Sequence, residues 1–538
     1  MSDNPKNDLD TFLEVEVKLA VDDSTGIPDL TQLPGVEEIL STEEHNLTAI
    51  YYDTEDLRLT HAKITLRRRT GGDDDGWHLK LPAGTTSGRT ELRAELGDPS
   101  EIPASLLDAV RSIIRTAELS PIAQVDNRRV VSALGSATGE KIAEFCDDHV
   151  TAWSLLPGGE RAGWREWEVE LSEFTAGTEE GGELIRQATS FLISSGARKS
   201  SSPSKLFTAL GESIQSAPLP PHLRDSGLDP ASPEGAVVEA LRGHRDSIVS
   251  WDPRVRADEF DSVHQMRVST REMRSLLETF EGILEGDQLG RLESELKDIA
   301  ATLGVARDAE VVEERFIELL DSDESGLVDT AAAEHIRGDM RSDYEAAHAE
   351  IVEMLNSERF LSLLDDIDNL LAEPPVNPEL AGGADTSERP RAQGASKEIL
   401  YEHLEKGYKK LAKRHAKVQE HYHDTELPLH DREEYVHDVR KAAKKLRYAA
   451  VAAEGAGVKS GRLAKACKSL QSILGDFQDA VTSRDRIQRL ADEARERGED
   501  TFAYGMLYQR ELARGEQALE GYESAIRDVK KAFSKIKK

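Results

Sequence analysis

The sequence predicts an α+β multidomain protein: a strand-rich, antiparallel N-terminal part, then an all-α C-terminal part made of two related helical bundles. Three observations carry this. Charged residues make up 32% of the chain and aromatic ones 5%, which suits a largely helical protein. Residues 12 to about 210 fall into short alternating runs separated by Gly-, Asp- and Pro-rich turns. From about residue 234, apolar residues recur instead at helical spacing, as in AVVEALRGHRDSIVSW and LGRLESELKDIAATLG.

With 538 residues the chain can bury several cores. Its net charge of −34 repels polyanions on average, so neither nucleic acid nor an anionic membrane is expected as a partner. Against that background a basic cluster is informative. The two cysteines, Cys146 and Cys467, allow no disulfide framework and no zinc pattern. The polar start MSDNPKNDLD is unlike a secretory signal, and no apolar run approaches a membrane span, so a cytoplasmic location is expected.

The strand half opens with FLEVEVKLA, in which Glu14, Glu16 and Lys18 share one face and Leu13, Val15, Val17 and Leu19 the other. Later runs repeat the theme. LRRR sets Arg67 and Arg69 together, WHLKL offers Lys80, and RTEL offers Arg89 and Glu91. NRRV offers Arg128 and Arg129, of which one can point to each face. AEFCDD puts Glu144 and Asp148 on one side, and REWEVEL does so for Glu166, Glu168 and Glu170. Helices are expected at about 101–118 and 179–196. Trp164 and Trp167, flanking Glu166, are expected to pack on the outside. A sheet aiming so many charges one way cannot bury that side in an apolar core. Closed into a barrel, it would have a hydrated, charged lumen. Clustered acids there would hold a hard divalent cation, and Arg and Lys would grip phosphate oxygens. That is the equipment of a phosphoryl-transfer site. No Walker loop, GxSxG elbow or HExxH motif competes.

A Pro-rich linker follows at 213–233, then a helical region at 234–535. A break at 373–396, expected to be disordered, divides that region into halves at 234–372 and 397–535. The halves repeat. VHQMRVSTREMRSL (263–276) matches VHDVRKAAKKLRYA (436–449), pairing His264 with His437, Arg267 with Arg440, Arg271 with Lys444 and Arg274 with Arg447. LGVARDAEV (303–311) matches LGDFQDAVT (474–482), pairing Asp308 with Asp479. Each stripe shares one helix face over about 15 Å, and the second adds Lys441 and Lys445. Like charges in a row destabilise a helix, yet the sequence does this twice. Facing one groove, the stripes would bind an extended polyanion, and a compact chain of phosphates fits better than DNA. The histidines at 415, 421, 423, 430 and 437 lack a compact metal-binding spacing.

The chain resembles proteins that join a CYTH domain, the triphosphate tunnel fold, to a CHAD domain. EVEVK, YYDT, LRRRTGG, WHLKLP, RTELRAEL, EWEVEL and SPSKLFTAL follow in CYTH order over about 10–212, and the paired VH and LG…D elements resemble the two CHAD halves. The resemblance implies an eight-stranded antiparallel β tunnel with flanking helices, and a C-terminal pair of pseudo-two-fold helical bundles. Relatives hydrolyse inorganic or thiamine triphosphate, or cyclise ATP, with Mg²⁺ or Mn²⁺, and CHAD domains bind polyphosphate. Carried over, Glu14 and Glu16 bind metal with Glu168 and Glu170 across the tunnel; the strand alternation adds Glu144 and Asp148 to the candidate metal ligands. Lys18 contacts substrate and helps position the water. Arg67, Arg69, Lys80, Arg128 or Arg129, and Lys205 bind the triphosphate, and the strand pattern adds Arg89 as a candidate. His264, Arg267, Arg271, Arg274, His437, Arg440, Lys441, Lys444 and Arg447 line the polyphosphate groove. The halves differ where Ala306-Arg307 meets Phe477-Gln478.

The expected function is metal-dependent hydrolysis of inorganic tripolyphosphate or polyphosphate, with the helical domain binding polyphosphate, in the cytoplasm and at polyphosphate granules. The alternative is a non-catalytic polyphosphate-binding protein. Thiamine triphosphate hydrolysis and ATP cyclisation rank lower, since the sequence locates no adenine-recognition element.

Overall fold

A computed structural model describes residues 10–82, 88–99, 101–280, 282–321, 330–377, 389–455 and 457–536. The chain divides into two compact units, Met1–Pro220 and Pro221–Lys538.

The first unit is a ten-stranded, wholly antiparallel sheet in the order β1-β6-β5-β4-β3-β7-β8-β9-β2-β10. Its strands are β1 (Asp10–Glu14), β2 (Glu16–Val21), β3 (Glu38–Asp53), β4 (Thr65–Thr70), β5 (Gly76–Pro82), β6 (Arg89–Ala94), β7 (Ser120–Gly135), β8 (Lys141–Ser154), β9 (Arg161–Leu171) and β10 (Arg198–Lys199). Only Val15 separates β1 from β2. Glu14 pairs with Arg89 of β6, while the Val15 carbonyl accepts from Leu171 N at 3.0 Å and Glu16 pairs with Glu170 of β9. One kinked strand thus closes the barrel. Counting β1 and β2 as one wall gives the eight expected, and β10 is a two-residue addition to β2.

Alternation decides what lies inside. Leu19, Val21, Phe145, Trp167 and Val169 point outward and are covered by Leu184, Ala188 and Leu192 of α4 (Glu179–Ser194). On the other flank Leu66, Trp77 and Leu79 pack against Leu106, Val110 and Ile114. These come from α2 (Ala104–Ala109), α3 (Arg111–Ile114) and the residue between them; α1 (Arg58–His61) precedes both in sequence. The charged faces are left to the lumen. One end is filled by α5 (Lys205–Leu210), whose Leu206, Ala209 and Leu210 pack on Ala49, Tyr51, Val125 and Val150. Trp164 belongs to this plug and not to the outer layer expected for it, because it falls on the lumen face with Glu166 and Glu168. Trp167 is on the outside.

The second unit is helical. Its first half holds α6 (Pro233–Arg256), α7 (Ser262–Thr279), α8 (Asp287–Asp321), α9 (Thr330–Asn356) and α10 (Glu358–Ala372). Its second half holds α11 (Arg389–His421), α12 (Leu429–Gly455), α13 (Gly461–Arg497), α14 (Phe502–Ala518) and α15 (Tyr522–Phe533). The expected linker is partly structured: Gly211–Ser216 forms a 3-10 turn, and the His222 carbonyl accepts from Arg242. Ser232 caps α6 by accepting from Gly235 N at 3.0 Å, with Pro233 at the first turn. The expected break at 373–396 is narrower. Glu285 N donates to the Pro375 carbonyl at 2.8 Å, and Asn377 Nδ2 donates to the Gly282 carbonyl at 2.9 Å. Helix α11 resumes at Arg389, and 378–388 lie outside the described residues. No described helix is long and apolar enough to cross a membrane.

Candidate active site and anion-binding groove

The barrel encloses a cavity of about 1020 Å³ lined by Glu14, Glu16, Lys18, Arg67, Arg69, Lys80, Arg89, Glu91, Arg129, Glu168, Glu170 and Lys205, among others. Its acids fall into two sets. Glu14, Glu16 and Glu170 each bring an oxygen within 4.8 Å of the others. Glu14 Oε2 is buried without a hydrogen-bond partner. Burial lifts Glu170 to about 7; Lys80 opposes the lift, and Glu14 and Glu16 reinforce it. Burial also pushes Glu14 up, but Lys80 and Lys18 outweigh it and hold that carboxyl below its ordinary value. Such under-satisfied, clustered oxygens fit a hard divalent cation.

Asp148, Glu166 and Glu168 are as close to one another, but basic side chains already fill the space. Lys205 Nζ is 2.8 Å from Asp148 Oδ2, 2.8 Å from Glu168 Oε1, and also reaches Glu166. Arg129 grips Asp148 with two bonds of 2.7 and 2.6 Å, and Lys18 Nζ is 3.1 Å from Glu168 Oε1. Burial opposes charge on Lys18, Arg129 and Lys205, yet the neighbouring acids win and push all three upward. On the opposite wall Glu91 gathers His78 (3.0 Å), Lys80 (3.7 Å), Arg67 (3.8 Å) and Arg93. These partners overcome burial and hold Glu91 well below the usual carboxylate range. Arg69 is the exception among the cations. Burial, Arg67 and Arg129 push it down to about 9, although it pairs with Asp74.

In the helical unit α7 packs on α12, which sets the two basic stripes face to face. Glycines make room: a Cβ at Gly304 would lie 3.3 Å from Arg267 Nη2, and one at Gly475 would lie 3.9 Å from Arg440 Nη2. The repeated Leu-Gly lies under a guanidinium in both halves, closely enough at Gly304 that a side chain would crowd Arg267, whereas Gly475 leaves ordinary contact distance to Arg440. Arg267 reaches Asp308 at 3.7 Å. Arg271, Arg440 and Lys444 make no ion pair with a described residue. Burial, then Arg271 and Arg440, push Lys444 down to about 6. Burial, then Arg267 and Arg440, push Arg271 down to about 10. Burial lowers His264 and His437 too, reinforced by Arg307 and Lys441 respectively.

A CYTH domain model matches residues 13–194 and a CHAD domain model residues 239–488, in that order. A Mycobacterium tuberculosis protein, recorded for two strains and called uncharacterised in both, is 37% identical over 537 residues, 98% of each chain. The chain belongs to the family that pairs a CYTH domain with a CHAD domain. Among solved structures, PptA from Streptomyces chartreusis is 20% identical with a TM-score of 0.44, over 55% of this chain and 99% of its own. The CHAD domain from the plant Ricinus communis is 22% identical with a TM-score of 0.41, over 58% of this chain and 94% of its own.

One residue expected in the CYTH site lies apart from it, and one is paired within it. Arg128 points away from the lumen toward Glu44, leaving Arg129 inside, since neighbours on a strand face opposite ways. Glu144 lines the cavity directly across from Glu170 on β9, but its carboxylate pairs with Lys141 and is not among the clustered oxygens. Lys205 does not come from the sheet; it opens α5, whose Ser204 cap accepts from Phe207 N at 3.1 Å. Residues absent from the expected set also converge. Glu166 completes the second acid set, and Glu91 anchors the opposite wall. Buried Tyr51 lines the cavity beside Arg67, whose charge together with Lys205 and Lys80 overcomes burial and lowers the phenol. Cys146 is buried on the lumen face and pushed far up by burial, so its thiol is inert. In the CHAD domain, Arg274 and Arg447 are paired with Glu278 and Glu272, and Lys441 with Glu434. The unequal position of the repeat resolves as Arg307 beside His264 in one half. In the other, Phe477 is buried and Gln478 hydrogen-bonds His437. No described metal-binding group includes the histidines of 415–437.

Proposed function

We propose that the CYTH tunnel hydrolyses inorganic tripolyphosphate or the end of a polyphosphate chain, and that the CHAD groove binds inorganic polyphosphate. The observation that carries the reading is the pairing, in one cavity, of an under-satisfied acid set with a ring of cations. Glu14, Glu16 and Glu170 would hold Mg²⁺ or Mn²⁺, which neutralises phosphate charge and acts as a Lewis acid toward it. Arg67, Arg69, Lys80, Arg129 and Lys205 bind and orient phosphate oxygens. Lys18 stays protonated between Glu16 (2.8 Å) and Glu168, so it donates to a phosphate oxygen and does not accept a proton from water. Glu168 holds Lys18, Arg129 and Lys205 in place before substrate arrives, which is the preorganisation phosphoryl transfer needs. The plug at α5 and the apolar wall behind it keep bulk water from that end. A polyphosphate-binding domain would carry the enzyme to polyphosphate granules.

The test is phosphate release by the full-length protein with Mg²⁺, comparing tripolyphosphate, ATP, thiamine triphosphate and long polyphosphate. Fast tripolyphosphate turnover, falling by at least about 10²-fold in Glu14→Gln/Glu16→Gln, is expected. Equal rates in wild type and the double variant would overturn the enzyme assignment. Tight polyphosphate binding without turnover would leave a binding protein.

A further inference from the structure

The cations of the CHAD groove are of two kinds. Along most of the stripes, Arg271, Arg440 and Lys444 make no ion pair with a described residue, and Arg267 meets Asp308 only at 3.7 Å. At the far end Arg274, Lys445 and Arg447 each pair with a glutamate of the first stripe's own helix. Glu272 Oε1 accepts from Arg447 Nη2 at 2.9 Å, and its Oε2 lies 3.4 Å from His244 Nδ1. Glu278 accepts from Lys445, and its Oε1 lies 3.9 Å from Arg274 Nη2. Both glutamates belong to α7, the helix carrying the first stripe, and both reach across to the second stripe on α12. Their side chains are mostly buried, at 13% and 22% exposure, so solvent screens these pairs less than surface ones.

From this arrangement, and resting on the polyphosphate reading, we infer that Glu272 and Glu278 are a charge stop that fixes the length of chain the groove engages. The engaged segment runs from His264 to Arg271 and from His437 to Lys444, about 10 Å of helix, and ends before Arg274, Lys445 and Arg447. A phosphate arriving at those three cations must first displace a carboxylate. A negative side chain at the end of the free segment also repels the next phosphate. A short chain therefore fills the groove, and added units contribute little until the stop is removed.

The experiment compares chains of about four and about one hundred phosphates, binding the full-length protein without divalent metal, across a range of salt concentrations. Glu272→Gln/Glu278→Gln is expected to tighten the long chain by roughly tenfold and steepen its salt dependence by about one to two counterions, through the freed cations. The short chain is expected to change by less than about twofold. Lys445→Gln added to the double variant should reverse part of the gain, which separates freed charge from altered packing. Melting curves identify a variant that fails to fold, and single Glu278→Gln then carries the same comparison. Equal affinities and salt slopes in wild type and variants, or weaker long-chain binding by folded variants, would overturn the inference alone. Absence of polyphosphate binding by wild type would overturn the polyphosphate reading and this inference with it.

Discussion

The tunnel and the groove use the same side chains in opposite electrostatic settings. In the tunnel, acids stand among the bases: Glu168 touches Lys18, Arg129 and Lys205, and these cations are held more strongly charged than usual. In the groove, bases stand against bases, and Lys444, Arg271, His264 and His437 all move the other way. A compensated site is rigid and stable before its ligand arrives, which suits chemistry that depends on position. An uncompensated site stores repulsion that only an anion relieves, which suits binding. On the proposed function, the two domains would divide positioning and capture between them by where the carboxylates are.

The hardest blow to this comparison falls on Glu168. It is 3% exposed and shared by three cations. Glu168→Gln leaves those charges facing each other, and breaking a buried network in this way costs about 3–5 kcal/mol. The CYTH melting transition should fall by several degrees while the CHAD transition stays. A loss below about 1 kcal/mol would mean that the tunnel's ion pairs do not hold it together.

The same logic predicts a gain in the groove. Removing an amine that burial and its basic neighbours keep from holding its proton, as in Lys444→Met, should stabilise the CHAD domain by on the order of 1 kcal/mol, or roughly 2–4 °C, while weakening polyphosphate binding. The pH dependence carries the sign. The folded-state value of Lys444 lies near 6, below its ordinary value, so above about 6 the unfolded chain binds the extra proton. Wild-type CHAD stability should therefore rise as pH increases from about 6 toward the ordinary lysine range. Lys444→Met should flatten that slope, and an unchanged slope would place the proton elsewhere.

The alternation of EVEVK made the inward set Glu14, Glu16 and Lys18 legible, because period two is a local property. The matched stripes were legible for a similar reason, since offsets of three and four fix a helix face. What sequence periodicity could not carry was cross-strand register. Glu91, Glu166 and Tyr51 alternate correctly within their own strands, but only register shows which carboxylate meets which base. Glu144 has the right face and sits opposite Glu170, but Lys141, three residues earlier on the same strand, takes its carboxylate. Trp164 failed because the plug that buries it is made by α5, far along the chain. The pairing of Glu272 with Arg447 and of Glu278 with Lys445 was invisible because those two cations lie on the other repeat.

Ligand binding should mirror the stability prediction at smaller amplitude. An anion in the groove favours the protonated form of Lys444, so binding takes up a proton at pH 7 and affinity falls as pH rises above about 6. The bound histidines push in the same direction. The slope cannot exceed about tenfold per pH unit for each proton taken up. Calorimetry in two buffers of different ionisation enthalpy reads the proton directly. A pH-independent affinity between 6 and 8 with no proton uptake would show that the groove is charged before the anion arrives.

The finest test compares neighbours on one strand. Arg129 is inside, bonded to Asp148 and Glu168, whereas Arg128 is 45% exposed and lies 3.4 Å from Glu44, itself 53% exposed. An exposed pair of that kind contributes little, because solvent and salt screen it and two long side chains must be ordered to form it. Arg128→Ala should therefore change stability by less than about 0.5 kcal/mol and leave tripolyphosphate turnover unaltered. Arg129→Ala should lose turnover and lower the CYTH melting transition, because it strips a buried acid pair of its guanidinium. Equal losses from the two variants would mean that the register of β7 is shifted by one residue, which would turn every charged side chain of that strand to the other face.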